Sequence, residues 1–177
     1  GNIGREGTGI NPMRGQNNIQ GAGDVGAIPN NYPGFQAVTD PANQAKFSKA
    51  WGREIDHENG ITKVRALEQA GEQIRAMFID GENTVVTDPD REHCERALES
   101  LDFLVVCDLF MTETAEFADV VFPATGFGET DGTQTNTERR VQRLRKAVPP
   151  PGEAKPDWWI ISRLPQRMKF KGFDYSG

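Results

Sequence analysis

QIRAMFIDGENTVVTDPDREHCERALES, residues 73–100, reads as strand, loop and helix in that order. Ile74, Ala76, Met77, Phe78 and Ile79 form a short apolar run, the pattern of a strand covered on both faces. Gly81 breaks the run, and Glu82, Asn83 and Thr84 make a polar loop. Asp88 followed by Pro89 opens a helix, with Asp as N-cap and Pro at the first helical position. Cys94, Ala97, Leu98 and Leu101 recur at helical spacing and supply its buried stripe. A second apolar run, Phe103-Leu104-Val105-Val106-Cys107, follows at once, so the two runs lie within the ~30 residues of a β-α-β unit. Val120-Val121-Phe122, closed by Pro123, is a third strand. Strands over 75–79, 103–107 and 119–122 are therefore expected side by side and parallel. Ligands of such sheets sit beyond the carboxyl ends of the strands. Two loops are singled out, 81–87 and 108–114.

Outward from this unit the texture changes. Residues 1–36 are dominated by Gly, Asn, Pro and Gln and show neither period. Ile3, Ile10, Met13, Ile19, Val25, Ile28, Tyr32 and Phe35 are spaced as if tacking an extended segment onto a body, so this stretch is expected to be an ordered, irregular arm. Asp40-Pro41 begins a helix that ends near Trp51-Gly52, and a second helix from Thr62 stops at Gly71. Thr112–Phe117 is a turn or short helix, and 124–133 a Gly/Thr loop. The Arg-rich stretch 135–148 reads as extended. Pro149-Pro150-Pro151-Gly152 is a hard stop, and a last helix from Pro156 is expected to end or kink at Pro165. The fold class is α/β: a Rossmann-like parallel sheet with flanking helices, plus irregular N- and C-terminal arms belonging to neighbouring domains. The expected spans are 1–36 for the arm, 37–126 for the Rossmann-like domain, and 127–177 for an extended segment and helix of a neighbouring domain.

Composition excludes several classes. The net charge of -6 argues against nucleic-acid partners, which need a basic face. No apolar run approaches the ~20 residues of a membrane span. The opening GNIGREGTG lacks the apolar core of a signal peptide, and a cytoplasmic location is expected. Two cysteines, Cys94 on a helix face and Cys107 at a strand end, do not suggest a disulfide framework. Two histidines far apart give no local zinc or iron–sulfur ligand set. A mean hydropathy of -0.60 is low for a self-contained α/β enzyme.

The residues suggest chemistry of binding rather than of bond breaking. The 81–87 loop offers backbone N–H groups, Asn83 and two threonine hydroxyls, which suits phosphate oxygens; the same residues also suit a plain connecting loop with helix caps. Arg14-Gly15-Gln16-Asn17-Asn18 sets a guanidinium beside three amides. Arginine suits carboxylate recognition, and the amides suit either a polar heterocycle or bonds that pin the arm. Asp157, ahead of Trp158-Trp159, has the acceptor a guanine edge needs, or simply complements a helix N-terminus. No nucleophile stands with a base, so the chain alone is expected to be inactive.

Further motifs carry a resemblance. GNIGREGTGINPMRGQNNIQGAGDVGAIPNNYPGFQ, MFIDGEN, LVVCDLFMTETAEFADVVFPAT, GETDGTQTNTERRVQR and KPDWWII follow one another as in catalytic subunits of molybdenum- or tungsten-dependent formate dehydrogenases. These belong to the dimethyl sulfoxide reductase family, the molybdopterin oxidoreductases. The likeness covers essentially the whole chain but only an interior part of such a subunit. It implies formate oxidation to carbon dioxide in the complete enzyme, with molybdenum or tungsten held by bis(molybdopterin guanine dinucleotide). An iron–sulfur cluster is expected in the remainder of the catalytic subunit, and the implied partners are that remainder and electron-transfer subunits. Arg14 resembles the arginine that neutralises formate, and Gln16 falls beside a pterin. Gly81, Glu82, Asn83 and Thr87 sit where one strand-end loop meets a guanine dinucleotide. Asp108 and Thr112 fall in the second such loop, and Asp157 matches an acidic residue near the cofactor. No metal ligand is expected in this stretch. Thr84 stands where many members have proline, Gly23 where some have cysteine, and Cys107 where glutamine is common. Two alternatives stay open: a cofactor-free scaffold related to the large iron–sulfur subunit of complex I, and an oxidoreductase acting on nitrate or another oxyanion.

Overall fold

The computed structural model describes residues 1–10, 13, 15–55, 58–170 and 172. In chain order its elements are α1 (Ile19–Asp24), β1 (Asn31–Tyr32), β2 (Gln36–Ala37), α2 (Pro41–Trp51), α3 (Lys63–Glu68), β3 (Ala76–Asp80) and α4 (Thr84–Thr87). There follow α5 (Arg91–Glu99), β4 (Phe103–Asp108), a 3-10 turn (Ala115–Phe117), β5 (Val120–Pro123), β6 (Gly132–Thr135), β7 (Val141–Leu144) and α6 (Asp157–Arg167). They divide into two compact units, Gly1–Thr62 with Gly132–Leu144, and Lys63–Asp131 with Arg145–Gly177. The expected spans, 1–36, 37–126 and 127–177, cut the chain elsewhere.

The second unit holds the sheet. Its strands run β3-β4-β5, all parallel, with Ala76 opposite Phe103 and Val105 opposite Val120. Alternation along the strands turns Met77, Ile79, Leu104, Val106 and Val121 to one face, where they pack with Leu67, Val85, Cys94, Ala97, Leu98 and Ala115. Leu104 and Val106 are essentially sealed from solvent, and each such side chain contributes roughly 1.5–3 kcal/mol on burial. The other face carries Phe78, Phe103 and Phe122, all partly exposed. The apolar run over 74–79 thus belongs to a strand covered on one face within this unit. Near the strand ends that second face is covered by α6, whose Ile160 and Trp159 pack with Cys107 and Ala124.

Three local expectations change. The N-cap of α5 is Asp90, whose carboxylate accepts from His93 N at 3.0 Å. Asp88 is instead held by the Lys63 ammonium, 2.9 Å from Oδ2, and one helical turn, α4 (Thr84–Thr87), stands within the loop expected over 81–87. That oxygen is buried, and the Lys63 ammonium is the partner that compensates its charge. Helix α6 runs through Pro165 to Arg167. Only two residues of the helix follow the proline, and Met168 N and Phe170 N bond to the carbonyls of Leu164 and Pro165, so little of the ladder is lost.

In the first unit, Asp40 caps α2 through Ala42 N at 2.8 Å and Gly52 closes it in the left-handed conformation, as the sequence indicates. Phe47 of α2 stacks on Tyr32 at 4.6 Å between centroids, and Val38 completes a small core. This packing joins α2 to the arm, which places the unit boundary at Thr62. Strands β6 and β7 form an antiparallel hairpin against α1. Of the expected apolar tacks, Tyr32 alone is buried; Ile3, Ile10 and Met13 are open to solvent within this unit. The arm is held by amides instead. Asn18 Oδ1 accepts from Thr135 N at 2.9 Å, and Asn17 Nδ2 donates to Gln134 Oε1 at 3.2 Å. Among the described residues no helix is long and apolar enough to cross a membrane.

Candidate functional site

The three parallel strands end at one edge. Asp80 closes β3 opposite Cys107, and Asp108 closes β4 opposite Pro123. The chain then returns to this edge. Ala124 bridges Lys155 in parallel, and Lys155 N donates to the Pro123 carbonyl at 3.1 Å. Two residues later Asp157 opens α6, and its carboxylate comes to the strand ends. The ligand atoms of Asp80, Cys107 and Asp157 lie within 4.8 Å of one another.

The electrostatics of this cluster are lopsided. Burial pushes the Cys107 thiol up, and the neighbouring Asp80 charge pushes it further, to about 12. The thiol therefore stays protonated at neutral pH. It donates to Asp157 Oδ1 at 3.9 Å, and the same thiol bonds to Asp80. One S–H proton cannot serve two carboxylates at once. Desolvation raises the pKa of both aspartates; the Asp108 charge raises Asp80 further, and the charges of Asp80 and Asp108 raise Asp157. The edge is rich in acceptors and short of donors. A thiol held neutral is a poor metal ligand, since metals bind the thiolate, so the arrangement suits a ligand that brings N–H groups.

Two loops frame this edge. Gly81 lies at φ +64, a conformation that favours glycine, and its N–H donates to the Cys107 carbonyl at 2.8 Å. That bond extends the ladder and removes the N–H from ligand binding. Glu82 accepts from the Thr87 hydroxyl and from Lys63 Nζ at 3.1 Å. These bonds, the Thr87 one foremost, hold its carboxyl below the usual range. Lys63 is pulled down by burial, but its bonds to Asp88 and Glu82 outweigh this and raise its pKa. Asn83 donates from Nδ2 to Glu113 Oε2 at 2.8 Å, and its Oδ1 accepts from Thr114 N at 3.2 Å and Thr114 Oγ1 at 2.9 Å. In the second loop Thr112 Oγ1 accepts from Ala115 N at 3.2 Å, and Asp108 Oδ1 from Leu109 N at 2.6 Å.

Among the residues singled out by sequence, Gly81, Asp108 and Asp157 meet at the edge, while Glu82, Asn83, Thr87 and Thr112 stand on the adjoining loops. Gln16 is exposed, just ahead of α1 in the first unit. Arg14 lies outside the described residues. Sequence reasoning passed over Asp80 and Thr114. Asp80 was within reach, being the last strand residue before the glycine that turns the chain. Nothing local marks Thr114, whose partners lie about 30 positions away.

The chain is 54% identical over 170 residues to the F420-dependent formate dehydrogenase subunit alpha of Methanocaldococcus jannaschii, covering 96% of this chain and 25% of that one. It is 53% identical to the F420-dependent formate dehydrogenase 1 subunit alpha of Methanococcus maripaludis, with 95% and 25% covered. Formate dehydrogenase H of Escherichia coli is 45% identical, with 96% and 24% covered. The chain thus spans about a quarter of the length of these relatives. Among solved structures, acetylene hydratase from Pelobacter acetylenicus superposes with a TM-score of 0.58 at 25% identity, over 73% of this chain and 19% of that one. The family model for molybdopterin oxidoreductases matches residues 1–167. The chain belongs to the molybdopterin oxidoreductase family.

Proposed function

We propose that this chain is the part of a formate dehydrogenase catalytic subunit that grips the guanine end of a molybdopterin guanine dinucleotide. The observation that carries the proposal is the acceptor-rich edge formed by Asp80, Asp108 and Asp157. Guanine presents a ring N–H and an exocyclic amino group side by side, and carboxylates are their natural acceptors. Desolvation foremost raises Asp80 and Asp157, with the Asp108 charge adding to the first and the Asp80 and Asp108 charges to the second, and N–H donors from a ligand would offset that cost. The same acids repel a diphosphate, so this set of acceptors fits the base and not the phosphates. Glu82, Thr87 and Thr112 line the flanking loops, and Gly81 allows the tight turn beside the edge. Gln16 is assigned a pterin contact on the resemblance of its RGQNN run.

When bound, the metal–pterin group supplies the two-electron acceptor for formate, which loses its C–H bond to give carbon dioxide, a proton and two electrons. In the complete enzyme the electrons would leave through iron–sulfur centres and further subunits, a reading supported by relatives named as alpha subunits. In this reading Arg14 neutralises the formate carboxylate and holds it by a planar fork. Bound charge in a dry pocket is where such a cation matters most.

The test uses the complete subunit. Arg14→Lys keeps the charge and loses the fork, so formate kcat/KM should fall clearly while metal and pterin content stay at the wild-type level. Asp157→Ala should instead lower pterin dinucleotide and metal together. Wild-type kinetics in the first variant would reduce Arg14 to a pin for the arm. A complete subunit that holds neither metal nor pterin would overturn the proposal and favour a scaffold.

A further inference from the structure

The parallel sheet of β3, β4 and β5 has one open edge and one bare face, and the two adjoin. Gly81 N donates to the Cys107 carbonyl and the Arg75 carbonyl accepts from Asp102 N, so by alternation Met77 and Ile79 also turn their backbone groups to β4. The N–H and C=O groups of Ala76, Phe78 and Asp80 therefore point the other way, along an edge that no strand pairs among the described residues. The turn at Gly71 occupies the chain only as far as Ile74. Nothing blunts this edge: β3 contains no lysine or proline, and its register with β4 has no bulge. The opposite edge is treated differently, since β5 ends in Pro123 and Ala124 bridges Lys155. Beside the open edge lies the face of Phe78, Phe103 and Phe122, which are 40%, 46% and 38% exposed. Parallel sheets occur almost only with both faces covered, and α6 covers this face only near the strand ends.

We propose that a strand and a helix from the part of the catalytic subunit outside these 177 residues complete this sheet. The strand pairs in parallel with β3, and the helix packs its apolar stripe on Phe78, Phe103 and Phe122. The proposal rests on reading the chain as part of a formate dehydrogenase catalytic subunit. It spans 25% of two such relatives, so each has ample further chain for one strand and one helix. A second copy of this chain fits less well, because pairing edge to edge would lengthen the sheet and leave both phenylalanine faces bare. Handedness then fixes the winding. The right-handed crossover from β3 to β4 puts α4 and α5 on the Leu104 face. A right-handed crossover leading away on the other side of β3 puts its helix on the phenylalanine face. The winding thus reverses at β3, and the crevice at its carboxyl end, beside Asp80, becomes a topological switch point, the place where such sheets bind ligands.

The test uses the complete subunit. Phe103→p-benzoylphenylalanine and Phe122→p-benzoylphenylalanine are made separately, and the peptides they photocrosslink are identified by mass spectrometry. Amide hydrogen exchange at Ala76 and Phe78 is followed in the unmodified subunit, so the test survives a variant that fails to fold. Both probes should crosslink within one subunit to a segment outside these residues. Ala76 and Phe78 should exchange within about tenfold of Met77 and Ile79, whose amides face β4. Crosslinks that join two subunits would give the face to a second copy and overturn the proposal. Crosslinks that are absent, or confined to this stretch, would refute it as well. So would Ala76 and Phe78 amides exchanging more than about tenfold faster than Met77 and Ile79, since the edge would then be open. Metal and pterin content is read on the same preparation: if both are absent the formate dehydrogenase reading fails, while the crosslinks still decide what covers the sheet.

Discussion

Replacing Asp80 by asparagine should stabilise the ligand-free protein at neutral pH while weakening its hold on guanine nucleotides. The ligand atoms of Asp80 and Asp157 lie within 4.8 Å of one another. Two unit charges at that separation repel by about 0.9 kcal/mol in water and about 3.5 kcal/mol at an effective dielectric of 20. Both side chains are exposed, so the lower figure is the guide, and Asp80→Asn should gain about 1 kcal/mol at pH 7. The pH dependence follows from linkage. Desolvation raises both carboxyls above their unfolded values. Between the unfolded and folded pKa the native state binds more protons than the unfolded one, so stability falls as pH rises through that window. The stability these groups lend is complete below the usual carboxylate range and lost above their raised native values. The advantage of Asp80→Asn should therefore shrink as pH drops from 7 towards 4. Urea unfolding at several pH values measures it, and a thermal shift with GDP measures the functional arm. A variant less stable than wild type at pH 7, or a gap that ignores pH, would refute the repulsion. A GDP-induced shift as large as in wild type would remove Asp80 from the site.

Gly81→Val should weaken the complete subunit's retention of pterin dinucleotide and metal together. The added Cβ meets no atom within 4 Å, so the stability loss, about 1–2 kcal/mol, comes from the left-handed backbone at φ +64; metal content equal to wild type would deny Gly81 a place at the cofactor. Leu104→Ala should cost about 2–5 kcal/mol in urea unfolding, because Leu104 is 1% exposed in the centre of the core. A loss under 1 kcal/mol would mean the core lies elsewhere. Cys107, buried and with its thiol raised to about 12, should resist iodoacetamide at pH 8 until urea is added, and rapid native alkylation would contradict both burial and charge.

Much of the fold was legible because it is written locally. The runs at 76–79 and 103–107 and the stripe Cys94, Ala97, Leu98 carry their own periods, and a helix between two such runs leaves few topologies. Helix α2 was readable to the residue, since Asp40, Pro41 and Gly52 each act on their own backbone. Where the sequence misled, a distant partner had intervened. Asp88 is a good cap in isolation, but Lys63 claims it. Pro165 is a helix breaker on paper, yet it stands near enough the helix end for the loss to be small. The apolar residues of the arm look like core residues, and what fastens it is a pair of asparagine side chains on β6.

The site was legible in kind but not in charge. Sequence pointed to the strand ends, yet the arrival of Asp157 beside Asp80 and Asp108 goes with the bridge between Ala124 and Lys155, which no local pattern announces. That gathering changes what the loops can be asked to do. A guanine dinucleotide carries a diphosphate as well as a base, and the cation beside the first loop, Lys63, already stands 3.1 Å from Glu82 and 2.9 Å from Asp88. Its charge is balanced before any ligand arrives, and the Gly81 N–H, an obvious phosphate donor, is bonded to Cys107. On the proposed reading, the edge takes the base and leaves the phosphates to residues outside it. Lys63→Met should then loosen Glu82 and Asp88 and lower stability, without the drop in salt sensitivity that losing a phosphate contact produces. GDP affinity measured against salt concentration separates the two roles: a slope that flattens in Lys63→Met would make Lys63 a phosphate ligand, and an unchanged slope would keep it as the anchor of the loop.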